Sequence, residues 1–253
     1  MKKRDKIYFL SDLHLGSRMF ADSKAAEKRV VAFLDSIKEE AKAIYLVGDI
    51  IDYWFEYRYV VPKGHVRFLG KIAELADSGI EIVWFTGNHD TWIFDYLPAE
   101  LGIKVEREPV VKEIDGKRFF IEHGDGVGDL PRKLRLLRGV FHNKVCQKLF
   151  SSVHPRWTVP LGLGWSHSNR KHHCVSPAYK GEDCEPLVIF AKDYLNTHQI
   201  DYFIFGHRHI FLEQSIKSTD GLRKAKVIFL GEWIETFSYA VFDGNQITLH
   251  KFI

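Results

Sequence analysis

Five short polar clusters punctuate this chain, each directly after an apolar run: Asp12/His14, Asp49/Asp52, Asn88/His89/Asp90, His123 and His207/His209. Carboxylates, imidazoles and a carboxamide form the donor set that a pair of divalent cations requires. Scattered along the sequence, they can act together only if the preceding strands lie side by side and deliver every cluster to one sheet edge. That requirement fixes the fold class as α/β.

Runs rich in branched and aromatic residues predict strands at Lys6 to Leu10, Ala43 to Val47, Ile80 to Phe85, Arg118 to Ile121, Tyr202 to Phe205 and Val227 to Leu230. Between the first three, helical spacing puts Ala25, Val30, Phe33, Leu34 and Ile37 on one apolar face and Val66, Leu69, Ile72, Ala73 and Leu75 on another. This βαβαβ opening predicts a largely parallel core. Thr236 to Phe242 and Gln246 to Phe252 should pair antiparallel around an Asp243-Gly244-Asn245 turn. The 253 residues suffice for one large domain.

Asp12 and His14 stand two apart, so along an extended segment both point to one side, and the same holds for His207 and His209. Asp49 can bridge two cations through its two oxygens, while Asp52 is expected to fix the loop or cap a turn. Asn88 offers a neutral oxygen beside His89, an imidazole able to donate a proton instead of binding metal. His123 precedes Gly124-Asp125-Gly126, a pliant exit suited to a site loop.

Asp12-x-His14, Gly48-Asp49-x-x-Asp52, Gly87-Asn88-His89-Asp90, His123-Gly124 and Gly206-His207-x-His209 together resemble the motifs of the calcineurin-like metallophosphoesterases. The resemblance implies a β-sandwich flanked by helices. It further implies that Asp12, His14 and His209 hold one metal, that Asn88, His123 and His207 hold the other, and that Asp49 bridges them. His89 is then the proton donor, and Asp90 completes the candidate catalytic pair. Two divalent ions against two carboxylates leave a cationic site suited to a phosphoester and to activating water. Mixed nitrogen and oxygen ligation favours manganese, iron or zinc over calcium, with manganese the first expectation.

From Leu130 to Gly181 the chain carries ten Lys or Arg residues and no Asp or Glu. The remainder has 26 basic and 33 acidic residues, so the overall +3 conceals a basic insertion on an acidic body. Leu130, Leu134, Leu137, Phe141, Val145 and Leu149 recur at helical spacing. Three readings compete for this segment: an ordinary helix pair with its apolar face on the core, a nucleic-acid surface, or a lid that accepts an acyl chain while its cations meet headgroup phosphates. Trp157, Leu161, Leu163 and Trp165 favour the lid.

With this helical insertion over about residues 129–181, Ser11-Asp12-Leu13-His14-Leu15-Gly16 most resembles the UDP-2,3-diacylglucosamine pyrophosphatases of bacterial lipid A synthesis. One departure is His89, where many members of that group carry Arg. The resemblance implies a nucleotide-linked glycolipid substrate, cleaved to UMP and a lipid monophosphate. Asn88, His89, Asp129, Arg132, Arg135, Ser166, Asn169 and Lys171 become candidate substrate-binding residues. It also implies a cytoplasmic enzyme held peripherally on the anionic inner-membrane surface, with no nucleic acid expected and no obligate protein partner evident. Hydrolysis of a soluble nucleotide or nucleic-acid diester stays open as the alternative, with a non-catalytic scaffold ranked below it.

No apolar run approaches the roughly 20 residues of a membrane span, and the charged start lacks a cleavage site for a secretory signal. Cys146, Cys174 and Cys184 are too few for a disulfide framework. His167, His172, His173 and Cys174 match no recognisable zinc spacing.

Overall fold

The computed structural model describes residues 4–128, 132–171 and 179–253, with the side chains at 134 and 168–171 outside the described set. In chain order the elements are β1 (Lys6–Leu10), α1 (Ser23–Ile37), β2 (Ala41–Val47), α2 (Val66–Asp77), β3 (Glu81–Phe85), α3 (Tyr96–Leu101), β4 (Lys104–Glu106), β5 (Val110–Ile114) and β6 (Lys117–Ile121). There follow α4 (Arg132–His142), α5 (Lys144–Ser151), α6 (Pro155–Lys171), α7 (Pro186–Leu195), β7 (Tyr202–Phe205), β8 (Phe211–Lys217), β9 (Lys224–Leu230), β10 (Ser238–Phe242) and β11 (Ile247–Lys251).

Two mixed sheets form, one ordered β11-β10-β1-β2-β3-β4 and the other β5-β6-β7-β9-β8. Strands β1 to β4 run parallel, as do β6, β7 and β9, while antiparallel β10 and β11 close one margin of the first sheet and antiparallel β5 and β8 close both margins of the second. Alternation along β1 explains the layering. Ile7 and Phe9 enter a core shared with Phe119, Ile121, Ile204 and Ile228 of the second sheet, while Tyr8 and Leu10 face Phe33, Leu34 and Ile72 of the helices. A third core seats α7 (Leu187, Val188, Ala191 and Leu195) on Phe203, Phe205 and Phe229. The central strands are covered on both faces and therefore read as unbroken apolar runs.

The observed architecture is thus a β-sandwich flanked by helices. It corrects the expectation of one sheet edge: clusters after β1, β2 and β3 come from one sheet, and those after β6 and β7 from the other. The hairpin around Gly244 forms with Phe242 opposite Ile247. Val66 and Ala25, expected on apolar faces, are exposed, and Phe68 takes the core position in α2.

The insertion is three helices rather than one amphipathic stretch. Asn143 breaks it between α4 and α5 by leaving the helical region and accepting hydrogen bonds from the Val145 and Cys146 amides. Anchoring comes from aromatic rings: Trp92 donates to the Phe141 carbonyl at 3.0 Å and stacks on Phe150. Gly162 lets α6 cross directly over Tyr53, since a Cβ there would sit 2.2 Å from the Tyr53 ring. Of the described residues of the expected apolar stripe, Leu137, Val145 and Leu149 are exposed, the last two at 66% and 67%, while Phe141 packs against Trp92 and Trp165. Among the described residues no helix is long and apolar enough to cross a membrane.

Candidate metal centre

Six of the side chains singled out in the sequence meet where the two sheets deliver their loops. Asp12 Oδ1 lies 3.5 Å from His14 Nε2 and 3.1 Å from His209 Nε2. Asp49 Oδ2 lies 3.3 Å from His123 Nε2, 3.8 Å from His89 Nε2 and 3.9 Å from His14 Nε2. Three overlapping sets result among the described residues, Asp12/His14/His209, His14/Asp49/His89 and Asp12/Asp49/His123, each with its donor atoms within 4.8 Å of one another.

Backbone conformation, not strand alternation, aims these groups. Asp12, His14, Asp49, His207 and His209 all adopt positive φ, between 45° and 61°. The expectation that Asp12 and His14, or His207 and His209, share a side through an extended segment is therefore corrected: the strands end at Leu10 and Phe205, and tight loops follow. Non-glycine residues at positive φ carry strain, which surrounding structure must hold in place. Here the Asp12 amide donates to the Gly48 carbonyl, the His14 amide to Asp49 and the Trp233 amide to Asp12. Gly48 is required at φ +78° because a Cβ would meet the His123 ring at 2.5 Å.

Each ligand candidate is fixed through one atom and presents another. Asp12 Oδ2 accepts from the Ser11 hydroxyl at 2.6 Å and the His207 amide at 3.0 Å, whereas the buried Oδ1 has no hydrogen-bond donor. His123 Nδ1 donates to the Val47 carbonyl at 2.9 Å, and its buried Nε2 likewise has no hydrogen-bond partner. A carbonyl can only accept, so Nδ1 carries the proton and Nε2 offers a lone pair. His89 Nδ1 donates in the same way to the Asp52 carbonyl at 3.0 Å. Asp49 Oδ1 accepts from the His89 amide at 2.8 Å.

Burial opposes charge on Asp12 and Asp49, but the surrounding imidazoles outweigh it and hold both carboxyls well below the usual range. For His123 burial again disfavours charge, and Asp49 with Asp12 overcomes it to raise the imidazole well above its ordinary value. Orphaned buried lone pairs on an oxygen and a nitrogen, ringed by hard and borderline donors, fit a divalent metal.

Asn88 and His207 are exposed, the latter with its ring packed edge-on against His123 at 5.3 Å. Asp90, expected to be catalytic, has a different place. Its oxygens accept from the amides of Gly87, Asp49 and Ile50 and from Trp84 Nε1, stapling the two motif loops together. Burial and the Asp49 carboxylate push its carboxyl up to about 6. Arg132 and Arg135 are exposed on α4 along an open groove of about 540 Å³. Ser166 is buried, donating to Asp52 Oδ2 at 2.9 Å. Asp129 lies outside the described residues, as do His172, His173, Cys174 and the side chains of Asn169 and Lys171.

Sequence reasoning missed Ser11 as the clamp on Asp12, and its only signal was a hydroxyl directly before a ligand candidate. It also missed Arg138, which pairs with Asp125 just beyond His123 and ties α4 to that loop.

Residues 5–211 match the family described as calcineurin-like phosphoesterase. A UDP-2,3-diacylglucosamine hydrolase of Porphyromonas gingivalis is 44% identical over 261 residues, covering 98% of each chain. Proteins of that name from Neisseria meningitidis serogroup A, 26% identical over 89% of each chain, and Ralstonia nicotianae, 25% identical over 80% of this chain and 76% of that one, are also similar.

Proposed function

Because the chain belongs to the calcineurin-like phosphoesterase family, we propose that this metal-dependent hydrolase cleaves the pyrophosphate of UDP-2,3-diacylglucosamine to UMP and a lipid monophosphate. The observation that carries the reading is near-full-length 44% identity to a protein named for that substrate, insertion included.

In this reading Asp12, His14 and His209 hold one divalent ion, Asn88, His123 and His207 hold a second, and Asp49 serves both. Manganese is the first choice, with iron or zinc as alternatives. Such ions supply Lewis acidity, making a water nucleophilic near neutral pH and neutralising charge on phosphate oxygens. The Asp52 carbonyl orients His89 so that its Nε2 faces the reacting region, where it can protonate the bridging oxygen as the phosphoanhydride bond breaks. Asp90 keeps the Asp49 and Asn88 loops in register, and Ser11 keeps Asp12 aimed.

The three-helix insertion acts as a lid over the lipid. Arg132, Lys133 and Arg135 meet phosphates of an anionic membrane surface, while outward Leu136, Leu149, Trp157 and Leu161 bury in its acyl region. No acidic residue interrupts this surface between Leu130 and Gly181, which supports peripheral attachment to the cytoplasmic face of an inner membrane. Asn88, His89, Asp129, Asn169 and Lys171 are proposed to contact the sugar and phosphates.

Comparing turnover of the diacyl UDP-sugar with its deacylated form tests the assignment. Activity should collapse without the acyl chains. Equal turnover of a simple soluble diester sinks the lipid reading in favour of a soluble phosphodiesterase.

A further inference from the structure

A buried hydroxyl of the insertion reaches the metal centre. Ser166, on α6, is 5% exposed and donates to Oδ2 of Asp52, which is 2% exposed. The other oxygen of that carboxylate, Oδ1, lies 3.5 Å from His14 Nδ1 and 3.9 Å from His89 Nδ1. The Asp52 backbone carbonyl takes the His89 ring proton at 3.0 Å. One residue therefore touches the rear nitrogen of a proposed metal ligand, the rear nitrogen of the proposed proton donor, and the insertion.

We propose that Ser166 is a positioning residue: by fixing the Asp52 carboxylate it holds the His14 imidazole, so seating of the insertion sets the affinity for divalent metal. This rests on the dinuclear reading above. It assigns Ser166 a task beyond the sugar contact expected for it, since the buried hydroxyl gives its proton to Asp52. A carboxylate behind a ligating histidine fixes the ring and raises its basicity, and losing such support weakens metal binding about ten- to a hundredfold. Without the Ser166 hydroxyl, the Asp52 carboxylate loses a donor that fixes its orientation toward His14. Linkage makes the coupling mutual, so metal must in turn steady α6.

The experiment is calorimetric titration of the metal-free full chain with Mn²⁺. Ser166→Ala should bind about ten- to a hundredfold more weakly, and Ser151→Ala, which removes an exposed hydroxyl from α5, should match the wild type. In Asp52→Asn the further change Ser166→Ala should add nothing, because both act through one contact. Unchanged affinity in Ser166→Ala, or additive losses in the double variant, overturns the proposal. A measurement needing no variant is amide exchange of the wild type: Mn²⁺ should slow exchange in α6, and α6 exchange indifferent to saturating Mn²⁺ overturns it too. Wild-type protein that binds no Mn²⁺ instead strikes the dinuclear reading itself, which separates the two failures.

Discussion

The Nε2 atoms of His14 and His209 lie 3.2 Å apart, although 195 positions separate the residues in the chain. Asp12 Oδ1 stands against both nitrogens with no hydrogen-bond donor of its own. Two neutral imidazoles can satisfy each other with one proton, but a third acceptor beside them needs a cation. A divalent ion between the three resolves the conflict, whereas in its absence protons must do so.

Protonation therefore competes with metal. Asp49 and Asp12 raise His123 well above its ordinary 6.5 in the metal-free protein, which favours a second proton, on Nε2, in competition with metal. Mn²⁺ affinity should rise with pH until that raised value is passed, with protons released on binding. Titration calorimetry in two buffers of different ionisation heat reads both, and flat affinity across this range contradicts the arrangement. Stability of the metal-free form follows the same groups. The His123 contribution is complete below 6.5 and fades as pH rises through its folded pKa. Those of Asp12 and Asp49, with depressed pKa values, are complete above 3.8 and vanish as pH falls through their folded values.

Asp49→Ala removes a carboxylate that lies within 3.9 Å of three imidazoles at once. Turnover should fall at least about a hundredfold, the upper cost of losing even an outer support. Elemental analysis should find fewer than two metals per chain. Full activity with both metals retained in this variant would remove Asp49 from the bridging role.

His89→Ala separates acid catalysis from metal binding. Metal content should persist while turnover of the pyrophosphate drops about 10²- to 10⁴-fold, as for other proton donors. Because Asp49 Oδ2 is only 3.8 Å from His89 Nε2, a variant that empties the site would mark His89 as a ligand instead.

Replacing Arg132, Lys133 and Arg135 together by Ala tests the surface role of α4. Each cation near an anionic bilayer contributes about 1 kcal/mol, so vesicle binding should weaken on the order of a hundredfold. Turnover of a small soluble ester should not change. Equal co-sedimentation of variant and wild type with phosphatidylserine vesicles would exclude these residues from membrane contact.

The central strands of both sheets and the hairpin at one edge of the first were readable in the sequence. Strands covered on two sides, such as Tyr202–Phe205, announce themselves as apolar runs, whereas β5 and β8 at the margins mix Lys, Glu and Gln with apolar residues and gave no such signal. The stripe from Leu137 to Leu149 carried a helical period that Asn143 interrupts, and its residues divide, with Leu137, Val145 and Leu149 exposed and Phe141 packed on Trp92. Periodicity reports that one face is apolar, not what covers it.

The sequence by itself determined which donor types the chain owns, which strands deliver them, and where a basic, acid-free insertion interrupts the body. Only the tertiary structure decided that two sheets share the centre, that left-handed turns aim the ligands, that Asp90 staples loops, and that Ser166 reaches Asp52. Residue identity and short-range spacing are written locally, but the distance between side chains 114 positions apart, such as Ser166 and Asp52, depends on how every intervening layer packs.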